Sequence, residues 1–464
     1  MNEVILQSLG GANTVTGSKH LLKTPELNIL IDCGLFQGGK SLQEQNWLPL
    51  KISVAEIDVI ILTHAHLDHC GYIPLLVKKG FKGLIYMTQP TSELTELILI
   101  DSAKLQEEEA ESAVKNHYNK KHPARPLYTI KDAIASLWHF KAVSCNVFIS
   151  LSDHIRFRFK TCGHLLGACS VELTCFERTI IFSGDIGRPQ SAILPAPDYF
   201  SLADYVIMES TYGDRFHGEN NTCDELEKVI NQTIAQRGNI LIPSFAVGRA
   251  QELIYILNLL KKERKIPLNL PVILDSPMAA AATRISLHYA DDYLTISSEE
   301  FLEMNNNITI NEDYNSTIDF IKEKRSKIVI AGSGMMTGGR VLEYMKHYIG
   351  DSRNAVLMMG FQAEGTLGRA LLNQLHEVEI QGQSYMVKAR VLEIKGLSSY
   401  ADQTELLSWI RKFERPPKVI LLVHGEPCAQ KALGMKIQTE LNLPVKIIEQ
   451  NQDVLLFNCG VTAI

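Results

Sequence analysis

Three imidazoles and a carboxylate fall within six residues, His64 to His69, in Thr63-His64-Ala65-His66-Leu67-Asp68-His69. The segment directly follows the apolar run Ile57-Asp58-Val59-Ile60-Ile61-Leu62. A buried strand that ends in such residues can aim them into one pocket, because loops at strand ends carry sites while the strand stays fixed. Imidazole nitrogen and carboxylate oxygen suit zinc, and the i, i+2 and i+4, i+5 spacings supply two ligand pairs, hence two metals rather than one. A His-rich surface loop is the bland alternative, and it requires no partners elsewhere. Partners are present. His164 sits in the Gly-flanked turn Thr161-Cys162-Gly163-His164-Leu165-Leu166-Gly167, and the apolar run Thr179 to Ser183 leads through Gly184 to Asp185. A further run, Val419 to Val423, ends in His424. Alone, His424 reads as an ordinary histidine; as a further strand-end donor it joins the set.

These segments resemble the metallo-β-lactamase superfamily, whose H-x-H-x-D-H signature corresponds here to His64 through His69. The resemblance implies that His164, Asp185 and His424 complete the metal motifs. It also implies that Asp32, in Ile29-Leu30-Ile31-Asp32-Cys33-Gly34, orients ligands from behind, as metal-bound histidines commonly require. Asp32 capping the turn after its strand fits the sequence equally well.

A second group of segments resembles the β-CASP subgroup, the nucleic-acid-processing branch of that superfamily. They are Glu209-Ser210-Thr211-Tyr212-Gly213-Asp214, Ile242 to Glu252 with Ser244 and Arg249, and Leu274-Asp275-Ser276-Pro277-Met278-Ala279. Ala331 to Arg340, with Ser333 and Gly334, and Gly360 to Arg369 complete the group, beside the opening Gly10 to Ser18. Glycines and small hydroxyl residues between a strand and a helix let backbone N–H groups approach an anion, and the helix dipole favours it. Arg249, Arg340 and Arg369 lie in or beside such loops and can pair with phosphates in fork geometry. Any one loop could be ordinary turn chemistry; three in one domain favour a phosphate-lined track. The run Lys322-Glu323-Lys324-Arg325-Ser326-Lys327 reads instead as a solvated helix end.

The resemblance implies hydrolysis of RNA phosphodiesters by a hydroxide shared between two zinc ions. His64, His66 and His164 would hold one metal, Asp68, His69 and His424 the other, and Asp185 would bridge them. Metal coordination brings the pKa of water from about 15.7 to about 7. Asp68 and Glu209 are the expected catalytic carboxylates, with Glu209 orienting an acidic group near the leaving oxygen or, alternatively, capping its own turn. The chain departs from the subgroup in Gly396-Leu397-Ser398-Ser399-Tyr400-Ala401-Asp402-Gln403, where related nucleases have a histidine and this sequence has Tyr400. A phenol, with a pKa of about 10, donates hydrogen bonds well but protons poorly at neutral pH. Three outcomes stand open: a slower nuclease with Tyr400 positioning phosphate, protonation of the leaving group by another donor, or an RNA-binding subunit or hydrolase of another ester. His424 matches the RNA-processing rather than the DNA-processing pattern of the subgroup.

The elements that must position these residues are legible as short apolar runs alternating with amphipathic segments. Runs at Leu84–Met87, Val206–Met208, Ile240–Ile242, Val272–Leu274, Ile328–Ile330 and Ala355–Met358 read as strands. Segments 91–116, 222–237, 247–262, 339–348 and 402–413 read as helices. Alternation of this kind means an α/β protein with mainly parallel strands in at least its middle part. Residues 214–392 contain none of the metal-motif residues while both flanks do. The expected organisation is therefore a metal-binding αββα sandwich (1–212), a Rossmann-like β-CASP domain (213–392) and a segment completing the sandwich (393–464). A second domain over a metal pocket makes a cleft suited to a long substrate.

A chain of 464 residues is too long for one ordinary core, and 45% hydrophobic with 21% charged residues is a globular composition. The N-terminus shows no signal-peptide pattern, and no apolar run reaches membrane-spanning length, so a cytoplasmic protein is expected. Nine cysteines without a C-x-x-C pair read as reduced packing residues. The net charge of −6 argues mildly against bulk, non-specific nucleic-acid binding, though local positive potential can arise on an acidic protein. Single-stranded RNA is the expected partner, with two zinc ions per chain, no membrane, and a homodimer as an option.

Overall fold

Strands Asn28–Ile31 and Val59–Ile61 run parallel, with Ile31 opposite Ile61, and their side chains divide between two faces. Ile29, Ile31, Val59 and Ile61 point into one apolar core, where they meet Phe157, Phe159, Val171, Ile180 and Ile207 from another sheet. Period-2 alternation sends Leu30 and Ile60 to the opposite face, where they too are buried. Strands with both faces buried read as unbroken apolar runs, which is how they appear in the sequence.

The computed structural model describes residues 2–115, 125–218, 222–360 and 362–459. They divide into two units, one of residues 1–189, 196–216 and 400–464, the other of residues 190–195 and 217–399. The sequence-based boundaries at 212 and 393 fall a few residues away, and the excursion at 190–195 was not foreseen. It is irregular loop with no periodicity, held by Glu252 Oε1, which accepts from Ser191 Oγ (3.0 Å) and the Ala192 N–H (3.1 Å).

The first unit is an αββα sandwich. One seven-stranded sheet runs Asp453–Asn458, Glu3–Gly10, Lys19–Lys23, Asn28–Ile31, Val59–Ile61, Leu84–Met87, Phe140–Ala142. The other runs Val445–Ile447, Val419–Leu422, Tyr205–Met208, Arg178–Phe182, Cys169–Cys175, Ile155–Thr161, Ile149–Ser150. Leu421 and Ile207 face the inter-sheet core, while Ile420, Leu422, Val206 and Met208 pack outward on Leu406, Leu407, Leu433 and Ile437 of helices Gln403–Ile410 and Pro427–Leu441.

The second unit is a six-stranded sheet in the order Thr309–Asn311, Val272–Asp275, Ile328–Ala331, Ile240–Pro243, Ala355–Met358, Arg390–Glu393. Every pairing in it is parallel. Helices Arg249–Lys262, Pro277–His288 and Val341–Tyr348 connect its strands, the crossover parallel strands demand. All six apolar runs read as strands are strands, and the helix expected at 91–116 is Gln89–Lys115; residues 116 and Phe361 lie outside the described residues. One expectation needs correction. The charged run 322–327 does follow helix Tyr314–Lys322, but Lys327 is fully buried, its ammonium donating to the carbonyls of Phe320 (3.0 Å) and Glu323 (2.6 Å).

Candidate metal centre

Parallel neighbours end at the same edge of a sheet, so strands Arg178–Phe182, Tyr205–Met208 and Val419–Leu422 release Asp185, Glu209 and His424 side by side. In the facing sheet, Asn28–Ile31 and Val59–Ile61 do the same for Asp32 and His64. His66 immediately precedes the one-turn helix Leu67–Cys70, which carries Asp68 and His69. Gly34 lets the chain pass against this turn: a Cβ there would sit 1.6 Å from the Asp68 carbonyl oxygen. His164 lies in a loop whose Gly163 and Gly167 have φ of 69° and 75°.

Two groups of donors result: His64, His66, His164 and Asp185, and beside them Asp68, His69 and His424. In the first, His66 Nδ1 is 3.0 Å from His64 Nε2 and 3.2 Å from His164 Nε2. In the second, His424 Nε2 is 3.2 Å from His69 Nε2 and 3.4 Å from Asp68 Oδ2. Asp185 stands between. Its Oδ2 is 3.5 Å from His64 Nε2 and 3.6 Å from His164 Nε2, and its Oδ1 is 3.4 Å from His69 Nε2.

These separations fit a metal. Four donors about 2.0–2.1 Å from a tetrahedral zinc lie about 3.3 Å from one another. Asp185 is fully buried, and neither of its oxygens has a hydrogen-bond donor in good geometry among the described residues. A buried carboxylate in that condition is costly unless something else neutralises it, which a cation does.

The outward ring nitrogens are held from behind. Asp32, at φ 61°, accepts from the Thr63 N–H (2.7 Å) through Oδ1 and the Thr63 hydroxyl (2.9 Å) through Oδ2, and its Oδ2 lies 2.7 Å from His69 Nδ1. The turn cap and the ligand-orienting contact are thus both made by one side chain. Thr63 Oγ1 is 3.0 Å from His64 Nδ1, and Thr211 Oγ1 is 3.1 Å from His424 Nδ1. The two threonines were missed as site residues; the available signal was a hydroxyl directly before His64 and another two residues after Glu209.

Glu209 uses both oxygens on backbone: Oε1 accepts from the Ile186 N–H and Oε2 from the Thr211 N–H, each at 2.9 Å. It is a turn cap extended to a second loop, tying the residue after Asp185 to the residue that supports His424. Burial, with the nearby Asp185 carboxylate, pushes its carboxyl up to about 7. Burial opposes the charged form of His69, yet the carboxylates of Asp185, Asp32 and Asp68 hold it well above its ordinary value. Burial and then its imidazole neighbour His69 drive His64 well below.

Tyr400 lies over both donor groups, its ring centroid 4.6 Å from that of His164 and 6.5 Å from that of His424. The segment is strapped down by a bridge between Gly187 and Tyr400 and by the Ala401 N–H donating to the Ile186 carbonyl. Burial and the carboxylates of Asp185, Asp68 and Glu209 push the phenol well above its ordinary value, so it stays protonated.

The comparisons with known proteins agree with this architecture. Residues 17–230 match the metallo-beta-lactamase superfamily, residues 250–371 the Beta-Casp domain, and residues 384–448 the Zn-dependent metallo-hydrolase RNA specificity domain. Ribonuclease TTHA0252 of Thermus thermophilus is 34% identical over 92% of this chain and 94% of its own length. The chain belongs to the β-CASP branch of the metallo-β-lactamase superfamily. A second relative, transcription termination factor FttA of Methanocaldococcus jannaschii, is 32% identical over 90% of this chain, which spans 66% of that protein. A crystal structure of a protein of unknown function from Enterococcus faecalis shares the fold, with a TM-score of 0.53 at 13% identity over 98% of this chain and 100% of that one.

The phosphate-binding residues expected in the β-CASP domain sit where ligands of parallel sheets bind, in loops at the carboxyl ends of strands. Ser244 follows Ile240–Pro243, and Ser333 and Gly334 follow Ile328–Ala331. The Gln362 side chain donates to the Gly334 carbonyl (3.1 Å), joining two of these loops. The arginines are committed internally, which their spacing did not reveal. Arg340 pairs with the buried Asp275 (2.6 Å), Arg249 with Glu252 (2.5 Å) and the Leu397 carbonyl (2.5 Å), and Arg369 with the exposed Glu364 (2.9 Å).

Proposed function

We propose that the chain is a zinc-dependent ribonuclease that hydrolyses phosphodiester bonds of single-stranded RNA at a dinuclear centre. The observation that carries this reading is the placement of Asp185, one carboxylate oxygen toward each donor group. His64, His66 and His164 would hold one ion and Asp68, His69 and His424 the other, with Asp185 shared. Two bound divalent ions supply Lewis acidity that ionises water near neutral pH and offsets charge on a reacting phosphate.

The chain's own residues do the rest. Asp32, Thr63 and Thr211 fix the ring orientations of His69, His64 and His424, as outer partners of metal sites do. Glu209 holds the Asp185 and His424 loops in register through backbone N–H groups rather than by touching substrate. Tyr400, protonated and half-buried above the donors, would donate a hydrogen bond to a phosphate oxygen; a phenol so far from neutral pKa is a positioning group rather than a proton donor. In the β-CASP domain, the loops carrying Ser244, Ser333 and Gly334 would bind RNA phosphates, with Arg369 the arginine whose carboxylate partner is most exposed.

The relatives support the RNA assignment through a ribonuclease and a transcription termination factor, and through the RNA specificity domain matched at residues 384–448. The test is incubation of zinc-loaded protein with end-labelled single-stranded RNA, wild type beside Asp68→Asn. Cleavage abolished in the variant is expected. No cleavage by either protein, with RNA still bound, would replace the enzyme by an RNA-binding subunit.

A further inference from the structure

Cys145 lies in the loop from Phe140–Ala142, an edge strand of the first sheet, to Ile149–Ser150, an edge strand of the second; Cys169 opens strand Cys169–Cys175. Their Sγ atoms are 3.4 Å apart, and both are free thiols. A disulfide needs about 2.05 Å, so closing the gap takes a movement of about 1.4 Å, within reach of side-chain rotation. The pair is asymmetric. Cys169 is buried and Cys145 partly exposed, so an oxidant reaches Cys145 first. The contact with Cys169 holds the Cys145 thiol below its ordinary value, while burial and then that same contact hold Cys169 well above. That is the arrangement of an attacking and a resolving thiol.

We propose that Cys145 and Cys169 form a peroxide-oxidisable pair that closes to an intramolecular disulfide between the loop joining the two sheets and the strand beside the metal motif. The Cys145 thiolate attacks a peroxide oxygen, the O–O bond breaks, and the leaving oxygen takes a proton, giving a sulfenic acid and water. Cys169 Sγ then attacks the sulfenic sulfur, the S–O bond breaks, and the departing hydroxide takes the Cys169 proton as a second water. Two thiols are oxidised and one peroxide is reduced; a dithiol reverses the change. The position has consequences for the site. The Cys169 N–H donates to the Thr63 carbonyl (2.9 Å), and Thr63 is the residue gripped by Asp32 and leaning on His64.

The experiment is graded hydrogen peroxide on the folded, zinc-loaded protein, followed by peptide mapping without reduction. Cys428→Ser serves as background because Cys428 is exposed and can cross-link chains. The expected result is a Cys145–Cys169 cross-linked peptide lighter by two hydrogens, formed in the native protein and removed by dithiothreitol. In Cys169→Ser, checked to be folded by its unfolding transition, Cys145 should instead be trapped by dimedone as the sulfenic acid. Cys145 progressing to sulfinic or sulfonic acid in the native protein without that peptide, or the peptide forming only in urea, would overturn the proposal.

Discussion

Asp32 Oδ2 lies 2.7 Å from Nδ1 of His69, close enough to fix which nitrogen of that ring faces the opposing donors. The same carboxylate takes two hydrogen bonds from Thr63, so one side chain sets the geometry of both residues that bracket the metal motif. Asp32→Asn keeps the shape but cannot serve all three contacts as an acceptor. Its expected effect is a loss of about 10- to 100-fold in metal affinity, followed by a parallel loss of RNA cleavage. Competition with a chromophoric chelator measures the first; unchanged affinity would assign Asp32 to the turn alone.

Tyr400 replaces the imidazole expected in this subgroup, and burial with the carboxylates of Asp185, Asp68 and Glu209 holds its phenol well above its ordinary value. The wild-type rate should therefore show no limb reporting loss of a general acid. Tyr400→His should raise cleavage by about 10²-fold near neutral pH and introduce a decline at higher pH as the imidazolium deprotonates. A pH–rate profile of both proteins decides it. An unchanged rate in the variant would show that leaving-group protonation is not the limitation.

Arg340 and Arg369 look alike in sequence and differ in structure. Arg340 neutralises the fully buried Asp275, whereas Arg369 meets an exposed glutamate. Removing one partner of a buried pair costs about 3–5 kcal/mol; an exposed pair contributes about 0–1 kcal/mol. Arg340→Ala should therefore lower the urea unfolding midpoint clearly. Arg369→Ala should leave it nearly unmoved while reducing the salt dependence of RNA binding by about one counterion. Equal stability losses in the two variants would contradict this division.

Lys19 is buried, its ammonium donating to the Gly34 carbonyl (2.5 Å) and lying over the Phe36 and Tyr72 rings. Burial lowers its pKa from 10.5 to about 8. At neutral pH the ammonium is charged in both folded and unfolded chains, and the folded state bears the cost of burying it. Above pH 8 the folded chain releases this proton while the unfolded chain keeps it until about 10.5, so stability rises with pH across that window. The unfolding free energy of wild type minus that of Lys19→Met should rise by about 3 kcal/mol between pH 7 and pH 10.5. Denaturant titrations at several pH values measure it, and a flat difference would refute the depressed value.

Much of the site was legible because its donors follow apolar runs that could only be strands, as in Ile60-Ile61 before His64 or Leu421-Leu422 before His424. Local order carried that information. What sequence could not convey were pairings across hundreds of residues. Glu209 bonding the Ile186 N–H and Arg340 closing on Asp275 depend on which strands become neighbours. Nor could the charged run 322–327 show that its last lysine turns inward to two carbonyls. The excursion at 190–195 has no periodicity, and only its contacts place it in the second unit.

The most direct test of the central claim is metal content by elemental analysis alongside anomalous scattering at the site. Two zinc ions per chain are expected, both bound near Asp185, with Asp185→Asn losing metal from both positions. One ion per chain in fully active protein, or an Asp185→Asn variant that keeps two, would contradict a shared carboxylate.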